Sequence, residues 1–315
     1  MVAVLVILDG ASEPLGPEST SLERARTPVL DDLASRGTLT RLRTIPSGLP
    51  AGSETAIPAL LGWTPDAPAD RASLEAAARG IVPGAGERAW RVDVAGARAN
   101  ESLARRAAGE LRARAPRHEV RHLCGHRLLV WGRPPLPAAA RGAGLWAWPS
   151  GTVPPRLLDG STTMVAAPGA ASGTARLMGA RVVAPHGATG GPDTDLGAKA
   201  SAALAALAAG ARWVVIHVGA PDEAAHRRDA AAKVEVLERI DAELIAPLVD
   251  AVEESAGTLR VCPDHGCDPR SGEHDASPVP CLDWTHDDAS EAAGVRLTER
   301  AVAMLPAADS MPVAA

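Results

Sequence analysis

The sequence predicts an α/β fold: a mainly parallel sheet sandwiched by helices, carrying a smaller α+β insertion. Three observations lead there. The runs "AVLVIL", "RWVVIHV" and "TLRVCP" are apolar throughout rather than alternating, which is the pattern of strands buried on both faces. Helical stretches separate the strands, and alternating strands and helices build parallel sheets through crossover connections. The middle of the chain breaks this rhythm with short strands around one Arg-rich helix.

Taken in order, "VAVLVILD" is a strand that runs into Asp9. "SLERARTPVLDDLASRG" is helical, with a break at Pro28 and an end at Gly37. "GSETAIPALLGW" contains a short helix that starts near Ser53. Then come "WRVDVAG", the helix "NESLARRAAGELRARAP", "HEVRHL" and "HRLLVWG". The Pro/Gly tract "GRPPLPAAARGAGLWAWPSGTVPP" reads as a linker. This places a cap of residues 80–155 inside a core made of 1–79 and 156–315. The core resumes with the strand "MVAAP", the helix "GTARLMGA" closed by Gly179, the strand "RVVAP" and the helix "DLGAKASAALAALAAG". "RWVVIHV", the long helix "AAAKVEVLERIDAELIAPLVDAVEESAG" and "TLRVCP" complete it.

Composition narrows the function classes. Of 315 residues, 46% are hydrophobic and 22% charged, as in a globular soluble chain. The net charge of −6, with no Lys/Arg block, argues against a nucleic-acid surface. The N-terminus lacks a cationic region and a cleavage site, and the longest apolar stretch is broken by Gly210 and Arg212, so neither a signal peptide nor a membrane span is expected. Four Cys without a framework of spacings suggest reduced thiols and a cytoplasmic location. Lys199 and Lys233 are the only lysines, so the cationic side chains are almost all Arg, suited to bidentate phosphate or carboxylate contacts. Phe and Tyr are absent.

Three predicted strands end in potential metal ligands: Asp9 after the first, Asp222 and His226 after "WVVIHV", and Asp264 and His265 after "LRVCP". In open parallel sheets, sites form beyond the carboxyl ends of the strands. If "PDEAAH" is helical, Asp222 and His226 share one face. His274 follows nine residues after His265 in a loop able to fold back. Mixed carboxylate and imidazole donors suit Zn²⁺ or Mn²⁺ and recur in two-metal phosphoryl-transfer sites. The stretch "VCPDHGCDPRSGEHD" also holds Cys262 and Cys267, which raises a zinc clip or a redox pair as alternatives; Cys262 falls within a strand and reads as a small core residue. For a nucleophile, Ser53 sits at a helix start, where a phosphate is favoured. Thr55 competes with it.

The motifs "LDGASEP…ARTPVLDDLASRG…GSETAIPALLGW", "GARVVAPHGATGGPDTDLGAKASAALAAL", "HVGAPDEAAH", "KVEVLERIDAELI" and "PDHGCDP…HDASPVPCL" resemble the archaeal-type, cofactor-independent (2,3-bisphosphoglycerate-independent) phosphoglycerate mutases of the alkaline phosphatase superfamily. The likeness covers about 1–80 and 160–285, with a weaker stretch at "CGHRLLVWG". It implies an alkaline-phosphatase-like core, a nucleophilic Ser53 and two divalent ions, Mn²⁺ or Zn²⁺. One ion would be held by Asp9, Ser53, Asp264 and His265, the other by Asp222, His226 and His274. The implied enzyme is a metal-dependent phosphomutase acting on a small phosphorylated or phosphonylated acid through a phosphoserine intermediate. Arg71, Arg91, Arg105, Arg106 and Arg127 would bind the substrate. The departures lie on the substrate side. The insertion is cut down, the family's Asp-Thr-Asp-Pro-His stretch is missing, a family Lys before "MVAAP" has no counterpart, and Ile57 stands where the family has His. These favour a phosphatase or phosphonate hydrolase as the alternative. A non-catalytic binding protein is the third reading.

Overall fold

A computed structural model describes residues 2–96, 100–142, 144–287 and 294–309. The strands in chain order are β1 (Ala3–Leu8), β2 (Thr38–Arg43), β3 (Arg88–Val94), β4 (His118–His122), β5 (Arg127–Gly132), β6 (Leu145–Ala147), β7 (Thr162–Val165), β8 (Arg181–Val183), β9 (Trp213–Val218), β10 (Thr258–Pro263), β11 (Gly266–Asp268), β12 (Glu273–Asp275), β13 (Val279–Thr285) and β14 (Ala307–Asp309). The helices are α1 (Ser21–Arg24), α2 (Pro28–Arg36), α3 (Ser53–Leu60), α4 (Arg71–Ala78), α5 (Glu101–Arg114), α6 (Ala170–Met178), α7 (Leu196–Ala208), α8 (Ala220–His226), α9 (Ala230–Ile240), α10 (Ala246–Glu254) and α11 (Glu299–Val302).

The main sheet has the order β14-β2-β13-β10-β1-β9-β7-β8. Its centre, β10-β1-β9-β7-β8, is parallel, and β13 runs against its neighbours. The unbroken apolar runs are explained by burial on both faces. Val4, Val6 and Leu8 of β1 join Val214, Ile216 and Val218 of β9 in a core under α2, α7, α9 and α10. Ala3, Leu5 and Ile7 point the other way, into a second core with Ile57 and Leu60 of α3 and Ala175 and Met178 of α6. Helices therefore cover both faces, as the apolar strands require.

The long helix expected over 230–257 is interrupted by a π-helical turn at Asp241–Ile245, just before Pro247. The turn has a structural use. Buried Asp241 accepts hydrogen bonds from the Val29 and Leu30 amides, so it caps α2, whose own cap residue Thr27 makes no side-chain bond to the helix amides. The tract read as a plain linker contains a 3₁₀ turn, Ala138–Arg141, and β6, which pairs with β3 through Val92–Ala147. Those residues complete an antiparallel sheet of order β4-β5-β3-β6, packed on Ala104, Ala108 and Leu111 of α5. Leu136 and Ala140 fill the same core, which is why a Pro-rich tract is ordered there.

The two sheets meet through α4 against α6. A Cβ at Gly173 of α6 would lie 2.0 Å from the Leu74 carbonyl oxygen, so the helices touch backbone to backbone. Gly173→Ala should force them apart at a cost of about 1–3 kcal/mol. Urea unfolding measures this, and an unchanged midpoint would show that the contact yields freely.

Candidate metal and phosphoryl-transfer site

Asp9, His217 and Asp264 stand at the carboxyl ends of β1, β9 and β10, and α8 follows β9 directly, so the site lies beyond the sheet edge. Gly10 lets these segments converge. Its amide donates to Asp264 Oδ1 at 3.0 Å. Its φ of +61° is favoured by glycine, and a Cβ there would meet Asp222 Oδ1 at 2.5 Å.

Two donor groups result, Asp9/Asp264/His265 and Asp222/His226/Cys267/His274, each with its ligand atoms within 4.8 Å of one another. Asp222 and His226 share a face of α8, with His226 Nε2 3.2 Å from Asp222 Oδ2. His274 reaches the same place because β11 and β12 fold back as a two-stranded ribbon. Its Nε2 lies 3.3 Å from Asp222 Oδ1 and 3.0 Å from His226 Nε2.

The histidines are oriented alike. Nδ1 faces the backbone carbonyl of Ala51 in His274, of Gly272 in His226 and of Gly266 in His265. A carbonyl only accepts, so each Nδ1 is the donor and each Nε2 is turned toward the carboxylates. Asp222 Oδ1, Asp264 Oδ2 and His265 Nε2 are buried without a directed hydrogen bond. Paired lone-pair nitrogens beside carboxylates form a donor set for a divalent cation, and these residues fit one.

The electrostatics agree. Burial and the charge on Asp9 push Asp264 up to about 7. Burial and the charge on Asp222 oppose ionisation of Asp9, but the imidazoles of His217 and His265, 3.1 and 3.3 Å away, bring it below the usual carboxylate range. Hydrogen bonding to Asp222, against the cost of burial, raises His226 to about 9. A field that stabilises an imidazolium also stabilises a cation.

Ser53 opens α3 and donates from Oγ to Asp9 Oδ1 at 3.3 Å. It lines a cleft of about 160 Å³ with Asp9, His217, Asp222, Arg71, Arg79 and Arg127. Thr55 is fully buried. Arg127, the first residue of β5, lines the cleft from the smaller sheet. Arg71 lies 3.1 Å from Glu54 and 3.6 Å from Glu75. The other expected substrate arginines are placed elsewhere. Arg91 is buried between Glu75 and Asp93, and it holds β3 to α4. Arg105 and Arg106 are exposed on α5, beside Glu101 and Glu110, because an α-helix turns those positions to solvent. Cys262 is fully buried in the core of β10, whereas Cys267 is part of the second donor group.

A family model described as the metalloenzyme superfamily matches residues 1–303. The chain belongs to this superfamily. A probable 2,3-bisphosphoglycerate-independent phosphoglycerate mutase of Geobacter sulfurreducens is 27% identical, with 94% of this chain and 93% of the relative covered. The enzyme of that name from Methanosarcina barkeri is also 27% identical, over 87% and 88%. The PH0037 protein of Pyrococcus horikoshii superposes with a TM-score of 0.78 at 25% identity, covering 95% of this chain and 91% of the other. The cofactor-independent phosphoglycerate mutase of Thermoplasma acidophilum has a TM-score of 0.58 at 18% identity, over 98% and 97%, and shows the shared fold.

Three residues of this superfamily member escaped the sequence reading. His217 sits inside an apolar strand, 3.1 Å from Asp9. Arg79 follows α4, and its signal was no stronger than that of any other Arg. Lys199, fully buried, donates to the His217 carbonyl at 2.9 Å; its rarity was the one available hint. Burial lowers Lys199 to about 8 from 10.5. Native Lys199 thus releases its proton before the unfolded chain does, so its penalty on stability is relieved as pH rises through that interval. Lys199→Met should remove this rise, on the order of 1–3 kcal/mol. Urea unfolding of both proteins at the two ends of the interval measures it, and parallel pH dependences would reject it.

Proposed function

We propose that the chain transfers a phosphoryl group on a small phosphorylated carboxylic acid, in the manner of a cofactor-independent phosphoglycerate mutase, with Ser53 as nucleophile. The observation that carries this reading is the position of Ser53: at a helix start, hydrogen-bonded to Asp9 of one cation-donor group, and lining the same cleft as Asp222 of the other and Arg71, Arg79 and Arg127. Asp9, Ser53, Asp264 and His265 would hold one divalent ion, and Asp222, His226 and His274 the other. When bound, the ions neutralise phosphate charge and acidify the serine hydroxyl. Ser53 Oγ attacks phosphorus, and the ester bond to the substrate oxygen breaks. The second hydroxyl of the retained acid then takes the phosphoryl group back from Ser53. Arg71 and Arg127 provide planar donor forks for phosphate and carboxylate while the acid turns. On this reading, residues 80–155 form a cap over a core of 1–79 and 156–315.

Hydrolysis is the second reading, because His226 and His274 are solvent-exposed and water reaches the same phosphoserine. The product decides between them. With Mn²⁺ and no bisphosphoglycerate, 3-phosphoglycerate should yield 2-phosphoglycerate; release of inorganic phosphate alone would establish the hydrolase. Ser53→Ala should abolish turnover and phosphoenzyme. Survival of both would reject Ser53 as the nucleophile.

A further inference from the structure

The two donor groups differ in chemistry. Asp9, Asp264 and His265 offer two carboxylates and one imidazole. The other group contains a sulfur, from Cys267, which the superfamily likeness did not assign. Cys267 is the direct cross-strand partner of His274 in the β11–β12 ribbon, so the two side chains stand on one face. Its Sγ lies 4.0 Å from the His226 ring. It also lies within 4.8 Å of the ligand atoms of Asp222 and His274.

The backbone holds the thiol in place. Cys267 N donates to the Ser12 carbonyl at 2.8 Å, and its own carbonyl accepts from Lys233 Nζ at 2.7 Å. Lys233 is fully buried and is also 3.1 Å from Glu13. One of the two lysines in the chain is thus spent on fixing the residue beside the donor group. Cys267 is fully buried, which shields the sulfur from oxidants in solution.

We propose that Cys267 is a sulfur ligand of the cation held by Asp222, His226 and His274, so that this position selects a borderline-soft ion such as Zn²⁺ or Co²⁺, while the Asp9/Asp264/His265 position accepts a harder one. The inference rests on reading these side chains as a two-cation centre. On binding, the S–H bond breaks, the proton leaves to solvent and the sulfur lone pair forms the metal bond, with no change of oxidation state.

Cobalt titration of the full chain tests it. The wild type should develop a near-ultraviolet sulfur-to-cobalt charge-transfer band, retained in Cys124→Ser and lost in Cys267→Ser. In direct competition, Cys267→Ser should shift preference from Zn²⁺ toward Mn²⁺ by on the order of tenfold or more. Should that variant misfold, X-ray absorption of the zinc-loaded wild type serves instead: a sulfur scatterer at about 2.3 Å supports the proposal. Visible cobalt ligand-field bands without the sulfur band, or zinc with nitrogen and oxygen neighbours alone, would overturn the sulfur ligand and leave the two-cation reading standing. Failure of the wild type to bind any divalent ion would overturn both.

Discussion

Three carboxylates, Asp9, Asp222 and Asp264, are brought together with three imidazoles at one edge of the main sheet, and the surrounding structure is arranged around that concentration of charge. Carboxylates held this closely and away from water repel one another unless positive charge lies between them. The protein supplies directed dipoles. The Gly10 amide serves Asp264, and backbone carbonyls turn the three rings. Close approach also needs missing atoms, and at Gly10 the absent Cβ is the space that Asp222 occupies.

The rare lysines fit the same constraint. Lys199 and Lys233 are the fully buried ammonium groups of the described residues, and each is bonded to a backbone carbonyl next to the site. Burial of a cation is costly without partners. Here each ammonium donates to a carbonyl, of His217 for Lys199 and of Cys267 for Lys233, and Glu13 supplies compensating charge to Lys233.

The arginine-rich side follows a different logic. Glu75 pairs with Arg71, Arg79 and Arg91; burial opposes its ionisation, yet the arginines hold its carboxyl below the usual range. Part of the arginine that looks like substrate-binding charge is therefore internal scaffolding that joins α4 to β3. The guanidiniums left facing the cleft come from both sheets' surroundings, Arg71 and Arg79 from the α4 region and Arg127 from the start of β5.

The sequence by itself determined the parallel sheet and its helical cover, because strands buried on both faces must be apolar along their whole length. It also marked Asp9, Asp222, His226, Asp264 and His265, since a strand end is a local feature and sheet topology gathers strand ends along one edge, and it offered His274 as a loop residue able to fold back. Strands β2 and β13 carried polar residues and gave no such local signal; their pairing with the sheet is decided by neighbours far away in the chain. The tertiary structure alone decided which arginines face the cleft, because the identity of an Arg carries no information about its partner. Cys262 was legible as a core residue, but the tertiary structure alone placed Cys267 in a donor group. Five positions apart, one lies in the core of β10 and the other joins a donor group, because the chain turns after His265 and pairs Cys267 with His274.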